Sequence, residues 1–258
     1  DMTTWFHSLC LTGLKPSTEY HYRVLSENGG QDYTFHTAVK PGEPFTFAVY
    51  GDTQPNDGNH VKVLRQIMKV RPLFIVNNGD LVHEDNEGAW RDYFRAICDE
   101  TDVGETIPIY ATMGNHDGVK HGDDALFLSY LVLPLNYLHR SEGYYSFNIG
   151  DAHFIALNSY LPYEPGSPQY EWLADDLRKS AAYKWKFVFL HEPPYSTGKH
   201  GSNLNERRIL CPLFKKAAVA IVFAGHNHLY ERTQKIEGVT YIVTGGGGAP
   251  LYDAEKVD

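Results

Sequence analysis

The stretch Ile107-Pro108-Ile109-Tyr110-Ala111-Thr112-Met113-Gly114-Asn115-His116-Asp117 reads as a buried strand that runs into a glycine and then presents an amide, an imidazole and a carboxylate in succession. Four other apolar runs stop in a similar way. They are residues 45–50 before Gly51-Asp52, 73–78 before Gly79-Asp80, 186–190 before His191, and 219–224 before Gly225-His226-Asn227-His228. A lone Gly-Asp after a strand is usually a turn or a helix cap; five such endings in one chain outweigh that reading. In open α/β sheets ligands bind beyond the carboxyl ends of the strands, so the five ends can converge on one site.

Working outward, the segments between these runs carry apolar residues at helical spacing, as Val61, Leu64, Ile67 and Met68 do within a helix predicted over 59–70. Further helices are predicted near 89–98, 124–131, 169–179 and 205–216, and further strands at 144–149, 153–158 and 239–244. This alternation predicts an α/β domain over residues 44–258. Residues 1–43 read differently, with period-two alternation at 5–11, 20–24 and 32–37 and a Pro/Gly-containing linker at 40–44. Three strands cannot close a β-sandwich, which needs about seven, so this is a partial all-β segment.

The residue types select the chemistry. Two carboxylates, an amide oxygen and several imidazoles suit Zn, Fe or Mn rather than a sulfur site, and Cys10, Cys98 and Cys211 form no CxxC pair. One ion would leave several of these groups unused, whereas a carboxylate can bridge two, and cation pairs about 3.5–4 Å apart serve in-line displacement at phosphorus. Glycine before Asp52, Asp80, Asn115 and His226 permits a positive φ or a close backbone approach. Histidine is abundant, 13 in 258 residues, as a proton-transfer or metal site requires. The formal charge of −9 and pI near 5.8 argue against a broad nucleic-acid or anionic-membrane footprint. No apolar run approaches the roughly 18–20 residues of a membrane span.

The series Gly51-Asp52, Gly79-Asp80, Gly114-Asn115-His116-Asp117, Val188-x-x-His191 and Gly225-His226-Asn227-His228 resembles the calcineurin-like metallophosphoesterases, and more closely their purple acid phosphatase-like branch. The stretch from Leu14 to Val24 resembles the tyrosine-corner region of fibronectin type III-like domains, which often precede the catalytic domain in that branch. The resemblance implies a four-layer α/β/β/α sandwich. It puts Asp52 and His228 on a first metal, makes Asp80 the bridging carboxylate, and gives Asn115, His191 and His226 to a second metal. His116 would stand beside the phosphate as proton donor or electrostatic stabiliser, with Asp117 fixing its orientation. The two metals, Fe, Zn or Mn, would lower the pKa of a bound water and supply a hydroxide nucleophile.

Two departures from the branch stand out. The D-x-H of many relatives is Asp52-Thr53-Gln54 here, and the tyrosine expected three residues after the bridging aspartate is His83. His83 is taken to fill that coordination position, with Gln54 as the alternative. His200, in the loop after His191, resembles a substrate-reaching residue. The glycines at 245–248 lack the Lys-Ser/Thr ending and following helix of a phosphate cradle and read as a structural turn, while His153 reads as a packed core histidine.

The function implied is metal-dependent hydrolysis of phosphate monoesters. Two alternatives are a phosphodiesterase on the same site and a non-catalytic binding protein with a vestigial one. Relatives with this domain order are typically exported, which predicts a secreted or periplasmic protein; oligomeric state and physiological substrate are open.

Overall fold

The computed structural model describes residues 7–25, 30–54 and 58–254. An antiparallel hairpin, β1 (Glu19–Arg23) and β2 (Asp32–His36), comes first. The Tyr20 hydroxyl accepts the Lys15 N–H at 2.8 Å, which closes the turn ahead of β1. Tyr22 donates its hydroxyl to the Glu105 carbonyl at 2.7 Å, which ties the hairpin to the α/β body. The strand expected at 5–11 falls partly outside the described residues, and 7–11 form no strand.

Two sheets follow. Parallel strands β3 (Phe47–Tyr50), β4 (Phe74–Asn77) and β5 (Ile109–Ala111) form the first. The second, mixed sheet contains β6 (Tyr145–Ile149), β7 (Ala152–Ala156), β8 (Trp185–Phe189), β9 (Ile221–Ala224), β10 (Tyr230–Arg232) and β11 (Thr240–Thr244), in the spatial order β10-β11-β9-β8-β7-β6. Among the described strands, β10 alone escapes the sequence reading. It is three residues of Tyr-Glu-Arg with no apolar alternation, held by its pairing with β11.

An aromatic layer joins the sheets. Phe47 stacks on Phe74 at 5.2 Å and meets Phe154 edge-on at 5.4 Å, and Phe189 stacks on Phe223. Phe74, Phe154 and Phe189 are fully buried, each contributing about 2–3 kcal/mol by burial and up to about 1.5 kcal/mol more per aromatic pair.

Helices cover the outer faces. On the first sheet lie α1 (Asn59–Val70), whose Val61 and Leu64 point inward, α2 (Glu87–Phe94) with Trp90 and Tyr93, and the short α3 (Val103–Thr106) and α4 (Leu126–Tyr130). On the second lie α5 (Pro168–Lys179), α6 (Leu204–Ile209) and α7 (Cys211–Lys216), burying Trp172, Leu173, Leu177 and Phe214. The expected single helix over 205–216 is broken because Pro212 has no N–H to continue the ladder. The helix expected over 89–98 relaxes after Phe94 into a π turn, Arg95–Asp99. The result is the α/β/β/α sandwich.

Strand register sets the site. Tyr50 pairs with Asn77 and Asn77 with Ala111, so the loops after β3, β4 and β5 leave the first sheet level with one another. Phe189 pairs with Phe223 and Ala224 with Val243, which brings the ends of β8, β9 and β11 level in the second. The glycine run closes the seam: Gly247 N–H donates to Gly51 O at 2.8 Å, and a Cβ on Gly247 would fall 2.3 Å from that same oxygen.

Candidate metal centre

All five strand endings arrive at this edge. Asp52, Asp80 and His226 hold φ values of 60°, 55° and 66°, positive values that cost non-glycine residues about 1–3 kcal/mol. Of the glycines that precede candidate ligands, only Gly79 has a positive φ, 93°. Gly114 and Gly225 instead allow close approach: a Cβ would lie 2.2 Å from Asp80 N and 2.6 Å from Asp52 Oδ2, respectively. The conformational strain is therefore carried mainly by the ligand candidates and the space is supplied by their neighbours.

Ligand atoms of Asp52, Asp80 and His191 lie within 4.8 Å of one another, and all three residues are buried. His228 Nε2 stands 3.5 Å from Asp52 Oδ1. Asn115 Oδ1 lies 3.2 Å from His191 Nε2 and 3.1 Å from His226 Nδ1, and the two imidazole nitrogens are 3.2 Å apart. His191 Nδ1 donates to Asn78 O at 2.7 Å and His228 Nδ1 to Pro250 O at 2.8 Å, so in the neutral rings each Nε2 presents its lone pair to the site. Burial, followed by repulsion from His191, His200 and His228, holds His226 down at about 3; burial also lowers His228. Both shifts favour the neutral imidazole that metal ligation requires.

This donor set fits cations. Burial, then the neighbouring Asp80 carboxylate, raises the Asp52 carboxyl well above its usual range. Among the described residues, only histidines form ion pairs with Asp52 and Asp80. His191 Nε2 and Asn115 Oδ1 also face each other as two lone-pair donors, an arrangement that a positive ion between them stabilises.

Asp117 spends its hydrogen bonds on backbone N–H groups, not on the His116 ring. Its buried carboxylate accepts the N–H groups of Asp80 (2.7 Å), Gly114 (2.8 Å), Leu81 (2.8 Å) and Val82 (3.2 Å), and so fastens the Asp80 turn to the β5 loop. The His116 ring is oriented by the His83 carbonyl, 2.7 Å from its Nδ1, leaving Nε2 3.8 Å from Asp80 Oδ2 on a side chain 37% exposed.

The two candidates for the unfilled first-metal position separate. The exposed His83 ring stacks on His116 with centroids 5.3 Å apart, whereas buried Gln54 donates from its amide Nε2 to Asp80 Oδ2 at 3.3 Å. His200 reaches the centre, its ring 4.4 Å from that of His226. His153 is a core residue, bonded to Asn148 and Asp176 at 2.7 Å each.

Two aromatic neighbours carry no strand-end signal in the sequence. Tyr160 donates its hydroxyl to Asn115 Oδ1 at 3.3 Å, and Tyr252 stacks on His228 at 4.2 Å. A Ser-Tyr after β7 and an isolated tyrosine after the glycine run have no periodic pattern that would mark them.

The fold and this site define a dinuclear-type phosphoesterase scaffold. The calcineurin-like phosphoesterase family profile matches residues 45–230, and the chain belongs to that family. Within it, the chain is 37% identical over 261 residues to purple acid phosphatase 21 of Arabidopsis thaliana, covering 94% of this chain and 58% of the relative. It is 29% identical over 268 residues to a phosphoenolpyruvate phosphatase of Allium cepa, covering 96% and 55%. A purple acid phosphatase from yellow lupin (Lupinus luteus) seeds has the same fold, with a TM-score of 0.82 at 22% identity over 96% of this chain and 53% of that one. The chain thus spans a little over half the length of these relatives.

Proposed function

We propose that the chain hydrolyses phosphate monoesters at a two-metal centre. The observation that carries this reading is the convergence of Asp52, Asp80, Asn115, His191, His226 and His228 at one sheet edge, with Asp52, Asp80 and His191 buried within 4.8 Å. Asp80 lies between the two groups of donors, its Oδ1 3.6 Å from His191 Nε2, and would hold both cations. Two bound cations, of Fe, Zn or Mn type by donor chemistry, would supply Lewis acidity and an activated water for in-line displacement.

The protein's own groups do the rest. Partly exposed His116 presents Nε2 toward the substrate side and donates a proton to the leaving oxygen or stabilises its charge. His200 borders the same space beside His226. Asp117 acts indirectly, by fixing the turn that aims Asp80. Gln54 is the better-placed candidate for the first-metal position, and His83 supports the His116 ring. Export from the cell, suggested by the order of the hairpin and the catalytic body, belongs to the same reading.

The test is an assay with aryl phosphate mono- and diesters, with and without chelator, alongside elemental analysis. Two ions per chain and chelator-sensitive monoester turnover are expected. Preference for the diester would refute the monoester assignment, and at most one ion with no turnover would make the site vestigial.

A further inference from the structure

We infer that Asn227 is a positioning residue that couples the metal-binding turn to the loop carrying His200. Asn227 lies between His226 and His228, yet its fully buried side chain turns into the 196–201 loop. Its Oδ1 accepts the His200 N–H at 2.8 Å, while Nδ2 donates to Ser196 Oγ at 3.0 Å and Gly201 O at 3.1 Å. A carboxamide meets this demand because it offers an acceptor and two donors on one short stem, which neither a carboxylate nor an aliphatic group does.

The loop is shaped around that amide. A Cβ on Gly198 would fall 2.5 Å from Asn227 Cγ, so the backbone passes closer than any side chain allows. The loop is also tied to β10, where Glu231 Oε2 accepts from Thr197 N at 2.8 Å and Ser196 Oγ at 3.2 Å. One buried amide therefore sets the position of His200 relative to His226, against which its ring lies. A shift of either segment is felt by the other through bonds of about 3 Å. The inference rests on the reading of His200 as a substrate-facing group.

Asn227→Val removes all three bonds at similar volume. The expected result is two metal ions per chain retained, faster amide exchange across 196–202, and kcat/KM for an aryl phosphate lower by about tenfold, mainly through KM. In a His200→Ala background the added Asn227→Val change should lower kcat/KM less than about twofold, because the coupling partner is gone. Gly198→Ala, whose Cβ would fall 2.5 Å from Asn227 Cγ, crowds the same contact from the loop side and should reproduce the exchange and KM effects with both metal ions retained. Metal loss with unchanged loop exchange in Asn227→Val, or the full drop persisting without His200, would overturn the inference. A His200→Ala variant with unaltered kcat/KM would instead sink the reading of His200, and the coupling with it.

Discussion

On one side of Asp80, the candidate donor atoms of Asn115, His191 and His226 meet within 3.2 Å of one another, fed by the ends of β5, β8 and β9. On the other side, Asp52 and His228 stand 3.5 Å apart, and the remaining position falls to Gln54 or His83 on loops. The first arrangement comes from three strand ends, two of them neighbours in one sheet and the third in the other, so its donors are pre-aimed. The second depends on one strand end, one turn and a side chain with several rotatable bonds. The interlocked side should therefore hold its ion more tightly, and stepwise chelation should release the Asp52/His228 ion first.

The largest effect should come from breaking the group the two sides share. Asp80→Asn, which keeps a residue tolerant of the 55° φ, should lose both ions and at least about a thousandfold in turnover; elemental analysis and an aryl phosphate assay check it. Retention of one ion would mean that Asp80 does not bridge.

Next in size is His116→Ala. Turnover should drop about 10²–10⁴-fold with both ions in place, and equal activity would end its assignment as donor.

A smaller effect separates the two candidates for the looser side. Gln54→Ala should weaken binding of the first-released ion by about tenfold, against less than about twofold for His83→Ala, read by chelator competition. The reverse order would return the position to His83.

The smallest concerns the scaffold beneath Asp52. Burial pushes His60 down to about 3 while its ring packs between Tyr50 and Tyr93. A folded-state pKa below the ordinary 6.5 means that the unfolded chain takes up the proton first. The stability this contributes is intact above pH 6.5 and is lost as pH falls toward about 3. Thermal melts of the metal-free protein should fall by a few degrees more between pH 7 and 5 than those of His60→Gln. Parallel curves would show that His60 does not contribute to acid sensitivity.

Much of this is legible in the sequence. The helix predicted over 59–70 is found at Asn59–Val70, and α5 lies within one residue of its expected start because Ser167 and Pro168 are a cap and a first-turn proline. Periodic burial writes itself into sequence. The short β10 was not legible, since its strand character comes from β11 alongside it.

Among candidate site residues the same division holds. Local motifs named Asp52, Asp80, Asn115, His116, His191, His226 and His228, which converge because a strand ending in a metal-competent side chain is a contiguous signal, while His200 came from the family resemblance of its loop. The roles of Asp117, His83 and Gln54 depended on which way a side chain turns out of its loop.

By itself, the sequence determined that an α/β scaffold would bring metal-competent side chains to the ends of its strands, since period and residue type are carried by neighbouring positions. Only the tertiary structure decided that Asp117 braces backbone N–H groups, that Gln54 and not His83 touches the Asp80 carboxylate, and that Tyr160, Tyr252 and Asn227 lie against the candidate residues. Those contacts join segments far apart in the chain. Their hydrogen-bond partners are set by packing of the two sheets, which no local pattern encodes.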